Sequence, residues 1–232
     1  MGDQFYRTAR LAGAPFRFQV LGWERVTARP ALFVANHHGS TGPIEALLSL
    51  PARLHPWVVA DMTDRRLAPP YLYDDFVAPI WRLHGAPGRA ISWMVAQIAV
   101  SLIRGLDPVP VQKQRGLFDA SFQRSLGLLQ SGRSLLIFPE DRDGMPRPET
   151  QMKPFLHGFG WLCYLHARDG NAPLPVYPVA VHHERRTVAL GRLRHLRPGG
   201  ERRERVRQLC YDVERDIVAL YRAVDQAVSP LP

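Results

Sequence analysis

Residues 35–49 read ANHHGSTGPIEALLS and join an apolar run, ALFVA at 31–35, to a segment patterned like the start of a helix. A short continuous apolar run is what a buried strand requires, and Pro43 at the first helical position pre-sets the backbone for a helix over 43–50. A second apolar run at 57–60 makes the order strand, helix, strand. Outward from there the alternation continues. Met94, Val95, Ile98 and Leu102 keep helical spacing from Ile91 to a stop at Gly105, and a brief strand follows at 109–111. A helix over about 119–130 precedes SLLIF at 134–138, the clearest strand in the chain, and a further helix is expected over 154–166. Strands at 176–181 and 187–190 follow, and Val206, Leu209, Val213, Ile217, Leu220 and Val224 predict an amphipathic C-terminal helix over 201–228. This pattern predicts an α/β fold, a central and mostly parallel sheet flanked by helices, in one domain spanning 1–232 with its core at 21–195.

Two segments fit the alternation less well. Residues 64–87, rich in Pro, Tyr and Trp, predict an irregular or short-helical excursion. In residues 1–20, Phe5, Leu11, Phe16, Phe18 and Val20 are interspersed with Arg7, Arg10 and Arg17. That mixture suits a surface helix, lying on a membrane with its cations outward or packed on the domain.

At 232 residues the chain is long enough for one domain burying roughly 70 to 75% of its unfolded surface. Hydrophobic residues make up 46% and charged residues 22%, which argues against disorder. The net charge of +9 favours phosphate-bearing partners: anionic lipid, a phosphorylated substrate, an acidic carrier or nucleic acid. Nucleic acid has no other support, because no recognisable binding module is present. Between Arg185 and Arg207 stand nine arginines against two glutamates, a solvated face or a contact for anionic headgroups. The two cysteines, Cys163 and Cys210, form no CxxC, and no HExxH occurs, so neither a disulfide framework nor a metal site is expected. The N-terminus has neither a signal-peptide core nor a myristoylation signal, so no export or lipidation is expected. The most apolar window, 93–103, is shorter than the ~20 residues a bilayer crossing takes, so any membrane association is expected to be peripheral, from the cytoplasm.

For chemistry, Asn36-His37 is the leading candidate. In an open α/β sheet, ligands bind beyond the carboxyl ends of strands, and a histidine there is poised as a general base near neutral pH. Alternation along an extended segment gives His38 a different direction from His37. The pair His182-His183 has no metal-ligand spacing, and no role is read for it. HGSTG is no serine-hydrolase signal, for there is no GxSxG nucleophile elbow.

Four blocks, in order, resemble the glycerolipid acyltransferase family. Asn36, His37 and Pro43 match its NHxSxxDP pattern; VPVQK at 109–113 resembles the second block, with Lys113 where Arg is usual. FPEDR at 138–142 is similar to FPEGTR, and KPFLHG at 153–158 with YPV at 177–179 resemble the later landmarks. The likeness implies acyl transfer from acyl-CoA or acyl carrier protein to a lysophospholipid or related lipid, at an anionic membrane surface, with no bound cofactor. It implies His37 as catalytic base, and Asn36, Ser40, Lys113, Glu140 and Arg142 as substrate-binding groups, the cations clamping a headgroup phosphate.

One motif position departs from the pattern. Gly42 stands where the family has the Asp that orients the histidine, a loss that costs about 10⁴ in rate in serine-protease triads. Glu45, one turn on, is the nearest substitute as second catalytic residue, and equally a first-turn acid satisfying helix donors. A non-catalytic lipid-binding or scaffolding relative of the same fold is the alternative the missing Asp supports.

Overall fold

The fold is taken from a computed structural model that describes residues 6, 8, 13–37, 42–112 and 120–227. Seven strands form one sheet: β1 (Gln19–Leu21), β2 (Leu32–Ala35), β3 (Leu54–Val59), β4 (Val109–Val111), β5 (Ser134–Ile137), β6 (Val176–His182) and β7 (Thr187–Leu190). Their spatial order is β1-β7-β6-β2-β5-β3-β4, and every pair is parallel except β6–β7. Six α-helices are described: α1 (Gly42–Ser49), α2 (Ala68–Leu72), α3 (Gly85–Gly105), α4 (Ala120–Gln130), α5 (Gly158–Arg168) and α6 (Arg202–Gln226). The mostly parallel sheet flanked by helices is the α/β architecture the alternation predicts.

Strand period two builds the two faces of the core. Leu32, Val34, Leu135, Ile137, Val176 and Ala180 point to the face covered by α4, α5 and α6. Phe33, Ala35, Leu136, Tyr177, Val179 and Val181 point to the other, covered by α1 through Ala46 and Leu47. A parallel sheet covered on both faces requires strands apolar at every position, and β2, β5, β6 and β7 are buried throughout.

The topology also fixes where a site forms. From β2 the chain passes through α1 to β3 on one side, and from β5 it passes through α5 to β6 on the other. The carboxyl ends of β2, β5 and β6 therefore surround a switch point, where connecting chains leave in opposite directions and open a crevice.

Several expectations need correction. Residues 154–157 are not helical: Phe155 makes an isolated antiparallel bridge to Glu140, and Leu156 N donates to Pro139 O at 2.7 Å, so helix α5 starts only at Gly158. Most of the expected N-terminal surface helix lies outside the described residues. Its described end is a 3₁₀ turn, Ala14–Phe16, followed by β1, whose three residues are too few to show a period. Of the two expected placements, membrane surface or domain, Phe18 takes the second: it is buried against α1, with Phe18 N donating to Ser49 Oγ at 2.8 Å. The excursion is short-helical as expected, α2 running into a π-helical turn at Tyr73–Val77. Helix α3, however, starts six residues before Ile91 and spans 21 residues, long and apolar enough by length and composition to cross a membrane. The 93–103 window underestimated it, because the flanking Gly and Pro residues read as breakers.

Candidate active site at the sheet switch point

Asn36 leaves β2 with its side chain doing the work of a strand residue. Its Nδ2 donates to Val181 O at 3.0 Å and its Oδ1 accepts from Val181 N at 2.7 Å, fully buried. This amide extends the β2–β6 ladder by one step and fixes the direction in which the backbone reaches His37. Both ends are spent on Val181, so Asn36, expected among the substrate-binding groups, is built in as a structural tie.

His37 is exposed and its ring stands edge-on to Phe138 at 5.7 Å. Its backbone N donates to Glu140 Oε1 at 2.7 Å. Glu140, at the end of β5, accepts with its other oxygen from Lys153 N at 3.2 Å. Burial drives the Glu140 carboxyl up to about 6, opposed by those two donors and by the Lys153 charge. Glu140 thus ties the loop after β2 to the returning chain before α5, and its part is to hold His37 in place through the backbone.

Arg142 reaches away from this pair into the excursion. Its guanidinium pairs with Asp75 and lies over the Tyr71 ring at 5.5 Å, while its carbonyl accepts from Lys153 Nζ. The expected phosphate-binding cation therefore carries a counter-ion at the rim. Ser40 and Lys113 lie outside the described residues.

Glu45 sits in the first turn of α1, buried, with Oε1 at 2.7 Å from His183 Nδ1. Its other oxygen, Oε2, is buried with no hydrogen-bond partner among the described residues. Glu45 was expected to reach back to His37, and the hydrogen bond it makes goes instead to the imidazole at the end of β6. His183 is half exposed, so the pair combines a sequestered carboxylate with an accessible ring. Sequence reading gave His183 no role. No local signal marks it, since only the pairing of β6 in parallel beside β2 brings its last residues to the edge where His37 emerges. His182 points oppositely, stacked on Tyr221 at 4.2 Å and 3.5 Å from Asp225, and belongs to the α6 packing.

Two histidines from parallel neighbouring strands, each with an acid touching its ring or its backbone, give this edge acid–base capacity. Among the described residues no group of three or more His, Cys, Asp or Glu could hold a metal ion. Cys163 and Cys210 are buried side chains of α5 and α6, and burial pushes both thiols up, Cys210 to about 12, which keeps them from acting as nucleophiles.

An α/β sheet with a histidine at its switch point is a frame shared by many transferases and hydrolases, and comparison with solved structures narrows it. The fold is similar to the crystal structure of the 1-acyl-sn-glycerophosphate (LPA) acyltransferase PlsC from Thermotoga maritima. The TM-score is 0.55 at 15% identity, over 100% of this chain and 81% of that one. No protein-family model and no curated protein matches the chain. At that identity the likeness establishes the acyltransferase fold.

Proposed function

We propose that the protein is an acyltransferase that moves a fatty acyl group from acyl-CoA or acyl carrier protein to the hydroxyl of a lysophospholipid or related lipid. The observation that carries this is the fixing of His37 at the switch point by Glu140, on a fold similar to an acyltransferase of lysophosphatidic acid. In the mechanism the His37 imidazole takes the proton of the acceptor hydroxyl as the oxygen attacks the thioester carbonyl. A C–O bond forms, the C–S bond breaks, and the proton passes from the imidazolium to the departing thiolate. Arg142 and Lys113 hold the acceptor phosphate, Arg142 by exchanging Asp75 for the headgroup.

The test is acyl transfer by purified protein to a panel of lysophospholipid and hydroxylated acceptors. His37→Ala is expected to lower kcat by about 10²- to 10⁴-fold. Turnover unchanged in His37→Ala sinks the mechanism. A second reading, a non-catalytic lipid-binding relative, is favoured by Gly42 in the motif position and by the commitment of Glu45 to His183. Vesicle binding with no turnover on any acceptor would select it.

A further inference from the structure

Helix α3 buries one face and leaves the other apolar face uncovered. Gly88, Ser92, Ala96 and Val100, one turn apart, form the buried stripe; Ala96 and Val100 pack with Ala68, Met62 and Leu72, and Ser92 Oγ donates to Pro69 O. On the opposite side Met94 (57% exposed), Ile98 (64%) and Leu102 (49%) also stand one turn apart, flanked by Trp93 (58%). Ile80 and Trp81, in the lead-in to the helix, are exposed as well. Isolated exposed apolar residues are ordinary, but a continuous apolar helix face marks a contact surface.

We propose that this face of α3 docks on an anionic lipid bilayer, with the helix lying in the plane of the headgroups. Three observations select lipid as the occupant. First, from Ile80 to Leu106 the chain carries Arg82, Arg89 and Arg104 and no carboxylate, so the helix itself brings only cations to this face, Asp74 of the preceding turn lining one hollow with Arg89 and Trp93. That is the composition of an interfacial helix, with Trp81 and Trp93 supplying rings suited to the headgroup boundary. Second, crossing the bilayer would strip the small-residue stripe from α2, whereas lying on the surface leaves it intact. Third, the excursion leaves the sheet at the carboxyl end of β3 and touches the candidate site, through the Asp75–Arg142 pair and the stacking of Arg142 on Tyr71. A bilayer under α3 therefore brings lipid to the edge where His37 stands. This third argument rests on the acyl-transfer reading; the first two stand without it.

Much of the alternative cationic surface is already engaged within the protein. Of the arginines between Arg185 and Arg207, Arg185 meets Asp225, Arg186 the carbonyls of Pro15 and Arg17, Arg194 Asp216, Arg197 Asp212, and Arg207 Glu204.

The test is flotation with vesicles of phosphatidylcholine, with and without phosphatidylglycerol, comparing wild type with the triple variant Met94→Ser/Ile98→Ser/Leu102→Ser. All three positions are exposed, and circular dichroism checks that the variant folds. Wild type is expected to float with phosphatidylglycerol vesicles, and the triple variant to lose partitioning on the order of 100-fold. Quenching of tryptophan fluorescence by brominated lipid, diminished in Trp93→Phe, places the helix at the headgroup boundary. Equal flotation of wild type and variant overturns the proposal. So does a dimer in sedimentation velocity that the triple variant abolishes while wild type ignores vesicles, which would assign the face to a second copy. Transfer to a short-chain, water-soluble acceptor separates the two readings: the variant should retain it. Vesicle binding through α3 with no transfer at all would leave the docking intact and remove the acyltransferase reading.

Discussion

Glu140 illustrates how one side chain couples position to pH. Its carboxyl titrates at about 6 in the fold against 4.5 when unperturbed, because burial disfavours the charge more than its two backbone donors favour it. The folded state therefore holds the proton more tightly, and the contribution to stability is full below pH 4.5 and lost as pH rises through about 6. The shift of 1.5 units corresponds to about 2 kcal/mol, so urea denaturation of wild type should fall by about that much across this window relative to Glu140→Gln. A parallel pH dependence in both proteins would place the titration elsewhere. At Glu45 the test is kinetic. If the carboxylate serves the edge through His183, Glu45→Gln and His183→Gln should lower kcat to a similar extent, and the double variant no further, as for residues acting as one unit. The Asn36-His37 site is readable from sequence because strand and turn signals are local. Glu45–His183 is not, because 138 residues separate its members and only the β2–β6 register brings them to one edge.

At the scale of elements, the crossing of α5 and α6 depends on Gly160. A Cβ there would stand 2.7 Å from Cys210 Sγ, 3.0 Å from Val206 Cγ1 and 3.2 Å from Val206 O, so the helices are packed as close as a glycine permits. Gly160→Ala should destabilise the protein by about 1–3 kcal/mol. Adding Cys210→Ala, which clears the shortest contact, should recover part of the loss, and a thermal-melt double-mutant cycle measures the coupling. Strictly additive effects would show that the helices part freely. Helix α6 could be foreseen because its apolar spacing runs for many turns, and the N-cap Glu201 accepts from Arg203 N and Glu204 N. Strand β1 could not, since QVL takes its place only from pairing with β7, a partner that arrives 168 residues later. The late start of α5 was hidden for a similar reason: the chain before it is claimed by the loop after β5.

Across the whole molecule, a net charge of +9 is carried almost entirely by arginine, Lys113 and Lys153 being the only lysines. Composition could say that the surface is cationic but not which cations face a partner, because that depends on where the fold puts the carboxylates. Within the Arg185–Arg207 run, Arg185, Arg194 and Arg197 are pinned to Asp225, Asp216 and Asp212 of α6, while α3 carries no acid of its own. Arg194 is the best-defined pin, with Nε and Nη2 donating to the two oxygens of Asp216 at 2.7 and 2.9 Å. Arg194→Gln should therefore cost about 1 kcal/mol, a fall of roughly 2–4 °C in Tm for a chain of this size. Its partitioning onto phosphatidylglycerol vesicles should change by less than about twofold, since one distant charge is lost within a field screened over ~8 Å at physiological salt. A tenfold loss of vesicle binding with an unchanged Tm would make the run a membrane contact after all, because a structural pin cannot be removed without a thermal cost.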